Sequence, residues 1–391
     1  MAERNLNLNI IPVDEALSRY LSALDGLLVP KFEVIPVEKS LGRITAKEVC
    51  ACLNSPHYNA AAMDGIAVKA GDFNSNYDCV TDYVNVNTGD PVQEPFDAVI
   101  MAEDLPYTGE KNVLPGQHVR HVGESIKIGE EILSAKHKIR PADIGMLISA
   151  GVYQINVYSK PKIAVIPTGS ELIDTTLLHE GYVPEAGKII ESNSHMYEAQ
   201  IKQAGGESKR FSPIPDNFNL LKDSITKAAQ GFDIVLINAG SSAGTEDFTV
   251  KVLREIGEVI VHGVAMKPGK PTVLAIVNGK PVIGTPGYPV SAFLSFETFA
   301  LPVFAVLAGY EIKPRKKTEA VLSEKITSTL KQREYIRVKL ENVNDKLTAF
   351  PLVRSSGVAM SLVKADGFCI ADIGCEHIEA GETVFIELIE Q

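Results

Sequence analysis

The sequence predicts a multidomain protein of the α/β and β classes, with a doubly wound α/β domain, a β-rich inserted domain and a C-terminal β module. Apolar strand-like runs alternate with helical periods over residues 160–310, as in a mostly parallel sheet covered by helices. Short alternating runs separated by turn residues fill 53–139 and 318–391. The length of 391 residues also exceeds what one hydrophobic core usually holds.

The composition is that of a folded, acidic protein. A formal net charge of −11 argues against a nucleic-acid partner, because binding a phosphate backbone requires a basic surface. The five cysteines contain no CxxC pair, which fits a reduced, cytoplasmic compartment better than a disulfide framework. The eight histidines show no HExxH spacing, so we expect no histidine-bound transition metal.

Two features bear on targeting and membranes. Glu3, Asp14 and Glu15 fall where a signal peptide would need an apolar core. The most apolar long run, residues 293–307, contains Glu297 and Pro302, which predicts a core helix and not a membrane span. We therefore expect no membrane contact.

The first 159 residues are predicted to form two domains. Apolar side chains at helical spacing give an amphipathic first helix over residues 12–25. Asn54-Ser55-Pro56 marks a boundary, and residues 140–151 are predicted to be a short helix closed by glycine. These signals predict a linking domain of residues 1–52 and 140–159, interrupted by an inserted domain of residues 53–139.

The α/β domain begins with a buried strand that ends at Thr168-Gly169-Ser170-Glu171. Residues 189–193 then open a helix, for which Ser192 or Asn193 is the expected N-cap. A second helix over residues 218–230 leads to the strand at 233–238. This alternation predicts a doubly wound sheet.

Residues 233–291 carry three further Gly-rich corners. The first follows the strand at 233–238 and leads to Asp247, the second is Lys267-Pro268-Gly269-Lys270-Pro271, and the third spans residues 284–291. Asn278-Gly279 predicts a two-residue hairpin before the third corner. Any one such corner is more often an ordinary turn, but together they indicate a ligand site beyond the carboxyl ends of the strands. Free backbone N–H groups and lysines there suit an anion.

These motifs, in this order, resemble the MoeA and gephyrin E-domain family, the molybdenum insertases of molybdopterin cofactor synthesis. The resemblance spans nearly the whole chain, and it depends on Met63-Asp64-Gly65, Thr88-Gly89, Val122-Gly123-Glu124, Thr168-Gly169-x-Glu171, Ser192-Asn193, Gly240-Ser-x-x-Gly244, Asp247, Pro268-Gly-Lys-Pro271 and Gly284-x-Pro-Gly-x-Pro-Val-Ser291.

The resemblance implies an elongated homodimer whose α/β domain, residues 160–310, is MogA-like and whose residues 318–391 form a β-barrel. It also implies that the first helix packs on the α/β domain. The implied reaction inserts molybdenum from molybdate into adenylylated molybdopterin and releases AMP with the help of Mg²⁺. The implied partners are these substrates, a second copy of the chain and a MogA-type adenylyltransferase.

The resemblance also implies roles for individual residues. Catalysis is expected from Asp64, Thr88, Glu191 and Asp247, and the three acids are the expected Mg²⁺ ligands. The expected substrate-binding residues are Thr168, Gly169, Ser170, Glu171, Ser192, Asn193, Gly240, Ser241, Ser242, Gly244, Lys267, Pro268, Gly269, Lys270, Pro271, Pro286, Gly287, Pro289 and Ser291.

Four positions depart from the family pattern. Asn59, Ser125 and Ser170 stand where family members usually have aspartate, and Tyr288 stands where they usually have asparagine. Two alternatives to a working insertase therefore stay open. One is a divergent paralogue that binds molybdopterin or a nucleotide without inserting metal, and the other is an interaction scaffold like the gephyrin E-domain. The choice between molybdate and tungstate is also open.

Overall fold

The computed structural model describes residues 10–73, 83–105, 112–239 and 248–389. Contacts divide the chain into two compact units, Met1–Lys31 with Ser159–Gln391, and Phe32–Tyr158. We call the first the sheet unit and the second the linker unit. The units are described separately.

The first helix, α1 (Val13–Ala23), belongs to the sheet unit. Its buried residues Val13, Ala16 and Tyr20 follow helical spacing, so one face enters the main hydrophobic core. The Tyr20 hydroxyl donates to the carbonyl of Ala275 at 3.0 Å, on a central strand of the sheet. Burial raises the pKa of Tyr20 well above its usual range.

The linker unit is built from short strands and two helices. Their bounds are β1 (Phe32–Pro36), β2 (Val49–Cys50), β3 (Ala60–Ala61), β4 (Gly65–Val68), α2 (Ala70–Phe73), β5 (Val84–Val86), β6 (Ala98–Met101), β7 (Val119–Arg120), β8 (Glu131–Leu133), α3 (Pro141–Ser149) and β9 (Gln154–Tyr158). The first and last strands of the unit, β1 and β9, pair antiparallel. Strand β4 lies between β5 and β6. Strands β2 and β8 pair, as do β3 and β7.

The sheet unit continues with the α/β domain. Its elements are β10 (Lys162–Thr168), β11 (Leu172–Ile173), β12 (Ile189–Ile190), α4 (Asn193–Gln203), β13 (Glu207–Arg210), α5 (Phe218–Gly231), β14 (Ile234–Ala239), α6 (Phe248–Ile256), β15 (Glu258–His262), β16 (Met266–Lys267), β17 (Val273–Val277), β18 (Lys280–Pro286), α7 (Pro289–Ser295) and α8 (Leu301–Ala308). The main sheet has the order β13-β10-β14-β18-β17-β15. Strands β13, β10, β14 and β18 are parallel, and β17 runs against them.

Both faces of this sheet are covered, as predicted for a doubly wound domain. Alternate residues of β10 enter two different cores: Ile163 and Val165 pack with α4, α7 and α8, whereas Ala164 and Ile166 pack with α5 and α6. The predicted hairpin is also confirmed. Asn278 and Gly279 have φ angles of 51° and 71° and join β17 to β18, as a type I′ turn requires.

The apolar helical stretch Pro289–Ala308 is long and apolar enough to cross a membrane, but 67% of its most apolar window is buried within the fold. Its residues Phe296, Phe299 and Phe304 lie in the main core. The Glu297 carboxylate accepts from Gln200 at 3.1 Å and from Arg315 at 3.2 Å. The stretch therefore packs as a core helix, with its one acid paired.

The C-terminal residues form the predicted closed β-barrel. Its elements are β19 (Lys317–Leu322), β20 (Ile326–Thr327), β21 (Arg333–Val343), β22 (Lys346–Pro351), α9 (Met360–Val363), β23 (Gly367–Ala371), β24 (His377–Ile378) and β25 (Thr383–Leu388). Five strands pair in the circle β21-β22-β19-β25-β23, which closes by pairing of β23 with β21. Strand β16 of the α/β domain adds to the outside of β21, so barrel and sheet share one unit.

Candidate functional site

Three parallel strands end in register at one edge of the main sheet. Thr168, the last residue of β10, lies beside Ala239 of β14, which in turn lies beside Pro286 of β18. The antiparallel strand β17 starts at the same edge, because Val273 pairs with both Gly284 and His262. The predicted corners at residues 168–171, 267–271 and 284–291 therefore lie along one edge, which we call the sheet edge.

Residues 240–247 lie outside the described part of the chain. This stretch holds the predicted Gly240, Ser241, Ser242, Gly244 and Asp247. The strand before it, β14, ends at the sheet edge, between the ends of β10 and β18.

The start of helix α4 is tied to the sheet edge. The Asn193 side-chain amide donates to the carbonyl of Gly287 at 2.6 Å, which joins α4 to the loop before α7. Ser192 occupies the N-cap position but makes no side-chain capping bond. The buried Glu191 carboxylate caps the helix instead, because it accepts from both the Ser194 amide, at 2.8 Å, and the Ser194 hydroxyl. The predicted Glu191 therefore holds a helix end.

The loop after β10 is fixed by Ser170. Its backbone amide donates to the Asp216 carboxylate at 3.3 Å, and its hydroxyl accepts from the Asp216 amide at 3.0 Å. The Lys188 ammonium donates to the Ser170 carbonyl at 2.9 Å. The Thr168 hydroxyl is buried and donates to the carbonyl of Asn238 at 3.3 Å. No local motif marks Asp216 or Lys188, because both contact Ser170 from distant positions in the chain.

A cavity of about 580 Å³ opens beside this loop, bounded by residues 172–188 and 212–213. Asp174 in its wall accepts from the Thr176 amide at 3.0 Å and from Arg210 at 3.3 Å. The Thr176 amide is the largest cause that holds the pKa of Asp174 at about 2, and Arg210 adds to it. The Asp174 carboxylate in the cavity wall is therefore ionised at neutral pH and held in place by these bonds.

The Lys267–Pro271 corner carries two ammonium groups. Thr272 fixes it to α7, since its hydroxyl bonds the carbonyl of Gly269 at 2.7 Å and the hydroxyl of Ser295 at 2.9 Å. The Lys267 ammonium lies 3.4 Å from the Glu334 carboxylate. Lys270 is exposed, and its ammonium has no bonding partner among the described residues. Pro286, Gly287 and Pro289 form the neighbouring corner, and Ser291 is buried in the first turn of α7.

The barrel supplies charged groups that sequence reasoning missed. Glu334 is buried, and besides Lys267 it binds Arg354, whose Nε lies 2.8 Å away. Two cations thus face one carboxylate, and the group keeps a net positive charge beside the lysine corner. The loop after Arg354 reaches α7, because the Val290 amide donates to the carbonyl of Ser356 at 3.1 Å. Only the fold brings residues 334 and 354 to position 267, so no local motif marks them.

Arg337 holds this barrel loop in place. It is buried, and its guanidinium donates to the carbonyls of Val353, at 2.6 Å, and Ser355, at 3.2 Å, and to the Ser361 hydroxyl at 3.2 Å. Burial lowers the pKa of Arg337. The arginine therefore fixes the backbone on both sides of Arg354.

In the linker unit the structure brings together the predicted Asp64 and Thr88. Asp64 Oδ1 accepts from the Thr88 amide at 2.6 Å and from the Thr88 hydroxyl at 2.9 Å. These two bonds lower the pKa of Asp64, so the exposed carboxylate stays ionised. Gly65 permits the turn, since a Cβ there would lie 1.8 Å from the carbonyl oxygen of Ile100.

Three family models match successive parts of the chain. Residues 11–151 match the "MoeA N-terminal region (domain I and II)", residues 164–305 the "Probable molybdopterin binding domain", and residues 319–389 the "MoeA C-terminal region (domain IV)". These matches, with the sheet edge and the closed barrel, define a multidomain protein built around a molybdopterin-binding type of α/β domain.

Similarity to known relatives covers nearly the whole chain. A molybdopterin biosynthesis protein of Methanocaldococcus jannaschii is 33% identical over 97% of this chain and 96% of its own length. The molybdopterin molybdenumtransferase of Staphylococcus aureus strain COL is 28% identical over 98% of this chain and 96% of its own length. The crystal structure of the molybdopterin biosynthesis MoeA protein from Pyrococcus horikosii matches with a TM-score of 0.81 and 30% identity, covering 98% of this chain and all of that one. The chain belongs to the MoeA family.

Proposed function

We propose that the protein is a molybdopterin molybdenumtransferase, an enzyme of molybdenum cofactor biosynthesis that inserts molybdenum from molybdate into adenylylated molybdopterin and releases AMP. The observation that carries the proposal is the sheet edge, where Lys267 and Arg354 face Glu334 and Lys270 stands exposed on the same corner as Lys267. Cations suit phosphate and oxyanion groups. The names and coverage of the relatives support the same reaction.

In the proposed reaction the two dithiolene thiols displace one oxygen of molybdate, which leaves as water, and molybdenum keeps its oxidation state. Water attacks the phosphoanhydride: its oxygen completes the phosphate of AMP, the bridging oxygen leaves with the phosphate of molybdopterin, and the protons pass to solvent. The Lys267 and Lys270 ammonium groups hold the anions, and the exposed Asp64 carboxylate, set by Thr88, orients the attacking group.

Magnesium remains part of the proposal, brought in with the substrate phosphates. Among the described residues, no three His, Cys, Asp or Glu side chains converge on one metal position. Magnesium bound to phosphates usually takes only one or two protein carboxylates, and such an ion would neutralise phosphate charge. Asp64 fits this role, because its Oδ2 accepts no bond within the described residues, whereas both oxygens of Glu191 bind Ser194. Asp247 stays a predicted ligand.

The proposal also includes a cytoplasmic location, a homodimer and a MogA-type adenylyltransferase that supplies the substrate. Adenylylated molybdopterin is unstable to hydrolysis as a phosphoanhydride, so a direct supply from the preceding adenylyl transfer suits it. A pull-down with purified adenylyltransferase tests that contact, and its absence at micromolar concentrations would count against a stable complex.

The experiment that tests the function measures AMP release from adenylylated molybdopterin, with and without molybdate, at several Mg²⁺ concentrations. Molybdate-dependent release of AMP is expected. Tight substrate binding with no release at saturating Mg²⁺ would instead support the non-inserting paralogue.

A further inference from the structure

Tyr288 lies at the sheet edge, between the end of β18 and the first residue of α7. The residue before it, Gly287, receives the bond from Asn193 that ties α4 to this loop. The tyrosine is nevertheless 59% exposed. A large aromatic side chain thus stands open to solvent at the sheet edge.

One side of the Tyr288 ring lies against the barrel loop. A Cβ built on Gly357 would lie 3.3 Å from Cδ1 and 3.4 Å from Cε1 of the ring, so a side chain at residue 357 would require the ring to move by a few tenths of an ångström. The bond from the Val290 amide to Ser356 fixes that loop to α7. The ring therefore has a backbone support on one side and open space elsewhere.

We propose that Tyr288 is a specificity-determining residue that stacks on a planar nitrogen heterocycle of the substrate. This inference rests on the proposed function, since adenylylated molybdopterin carries two such rings, the pterin and the adenine. A tyrosine whose position is already restrained loses little conformational entropy when a ring stacks on it. An asparagine at this position offers no comparable flat surface.

Binding of three probes distinguishes the contribution of a ring from that of the phosphate, and the contribution of adenine from that of the pterin. AMP carries adenine and phosphate, ribose 5-phosphate carries the phosphate alone, and neopterin carries the pterin. Calorimetry on the full chain is expected to show that Tyr288→Asn weakens either AMP or neopterin about tenfold, leaves ribose 5-phosphate unchanged, and that Tyr288→Phe keeps wild-type affinity. Asparagine is a favourable N-cap residue, so folding of the variant should not suffer.

Gly357→Ala provides a matched test of the support. Its methyl group should shift the ring and weaken the same probe severalfold in the wild-type background, but not in the Tyr288→Asn background. Such a double-mutant cycle assigns the effect of residue 357 to the ring of residue 288.

The inference is overturned if no ring probe shows a dependence on Tyr288, or if ribose 5-phosphate weakens as much as AMP. A failure of the proposed function can be distinguished from a failure of the stacking role. Molybdate-dependent AMP release with an unchanged KM in Tyr288→Asn would keep the function and refute the stacking role. Ring binding that depends on Tyr288, without AMP release, would support the stacking role and refute the proposed function.

Discussion

At the scale of single residues, two of the residues that depart from the family pattern, Asn59 and Ser170, make hydrogen bonds that hold loops in place. The Asn59 side-chain oxygen accepts from the Val122 amide at 3.0 Å, and the Ser170 hydroxyl accepts from the Asp216 amide. An aspartate oxygen at either position can accept the same bond, so each replacement removes a charge but keeps the loop. From the sequence alone, these replacements could be described only as the loss of two carboxylates, because the hydrogen bonds depend on the fold.

Asp64→Ala is expected to abolish molybdate-dependent AMP release with little change in melting temperature, because the side chain is exposed. Asp64→Asn keeps an acceptor for Thr88 without the charge, and should be nearly as inactive. Glu38→Gln, at another exposed acid of the linker unit, serves as the control. Wild-type turnover in Asp64→Ala would refute the role assigned to Asp64.

Thr88→Val is expected to raise the pKa of Asp64 towards its ordinary value, because the hydroxyl bond to the ionised carboxylate is lost. Activity of the variant should then fall off at higher pH than in the wild type as the solution is acidified. The pH profile of kcat/KM measures this shift. An unshifted acid limb would mean that Asp64 ionisation does not control the reaction.

At the scale of elements, helix α3 depends on one buried carboxylate. Asp143 accepts from the Arg140 guanidinium at 2.9 Å, from the Arg140 amide at 2.8 Å and from His137 at 2.6 Å. The Arg140 side chain contributes most to holding the pKa of Asp143 far below its usual range, and His137 adds to it. The sequence predicted this helix and its closing glycine, but not the carboxylate that caps its first turn.

Asp143→Asn is expected to destabilise the linker unit by about 3 kcal/mol at pH 7, since it leaves buried donors without a charged partner. The folded pKa is lowered, so this stability is present above the ordinary Asp pKa of about 4 and is lost as the pH falls below it. Urea unfolding from pH 7 to pH 2.5 measures both. The gap between the wild-type and variant curves should narrow as the pH falls below about 4, and a constant gap would contradict the assignment.

The barrel loop that carries Arg354 depends on Arg337. Arg337→Ala is expected to cost about 3 kcal/mol, because it leaves the carbonyls of Val353 and Ser355 unpaired and opens a cavity. Calorimetric melting measures the loss, and Lys339→Ala, at an exposed position of the same strand, is the control. An unchanged melting temperature would show that the loop does not need this support.

At the scale of the whole molecule, an acidic protein keeps a local positive group. The net charge is −11, yet Lys267 and Arg354 face a single buried acid, Glu334. Such local charge governs anion binding more than the total charge does, because solvent ions screen distant groups. The structure therefore accounts for an anionic substrate on an acidic chain.

Lys267→Ala is expected to raise the molybdate concentration for half-maximal AMP release about tenfold, since a charged hydrogen-bond donor is lost. Glu334 keeps Arg354 as its partner in this variant, so folding should be nearly unchanged. Lys346→Ala, on an exposed barrel hairpin, is the control. An equal response of both variants would refute a specific role for the corner.

The sequence by itself determined the doubly wound domain, the hairpin at Asn278-Gly279, a β-rich C-terminal module and the family, whose resemblance implied that this module is a closed barrel. These follow from periodicity, turn residues and ordered motifs, which are local properties of the chain. Only the tertiary structure decided that Glu191 caps a helix, that Asp64 and Thr88 meet, and that Glu334, Arg354 and Gly357 reach the sheet edge. Except for the Glu191 cap, which bonds Ser194 within the same turn of chain, these contacts join residues far apart in sequence, and long-range packing fixes them.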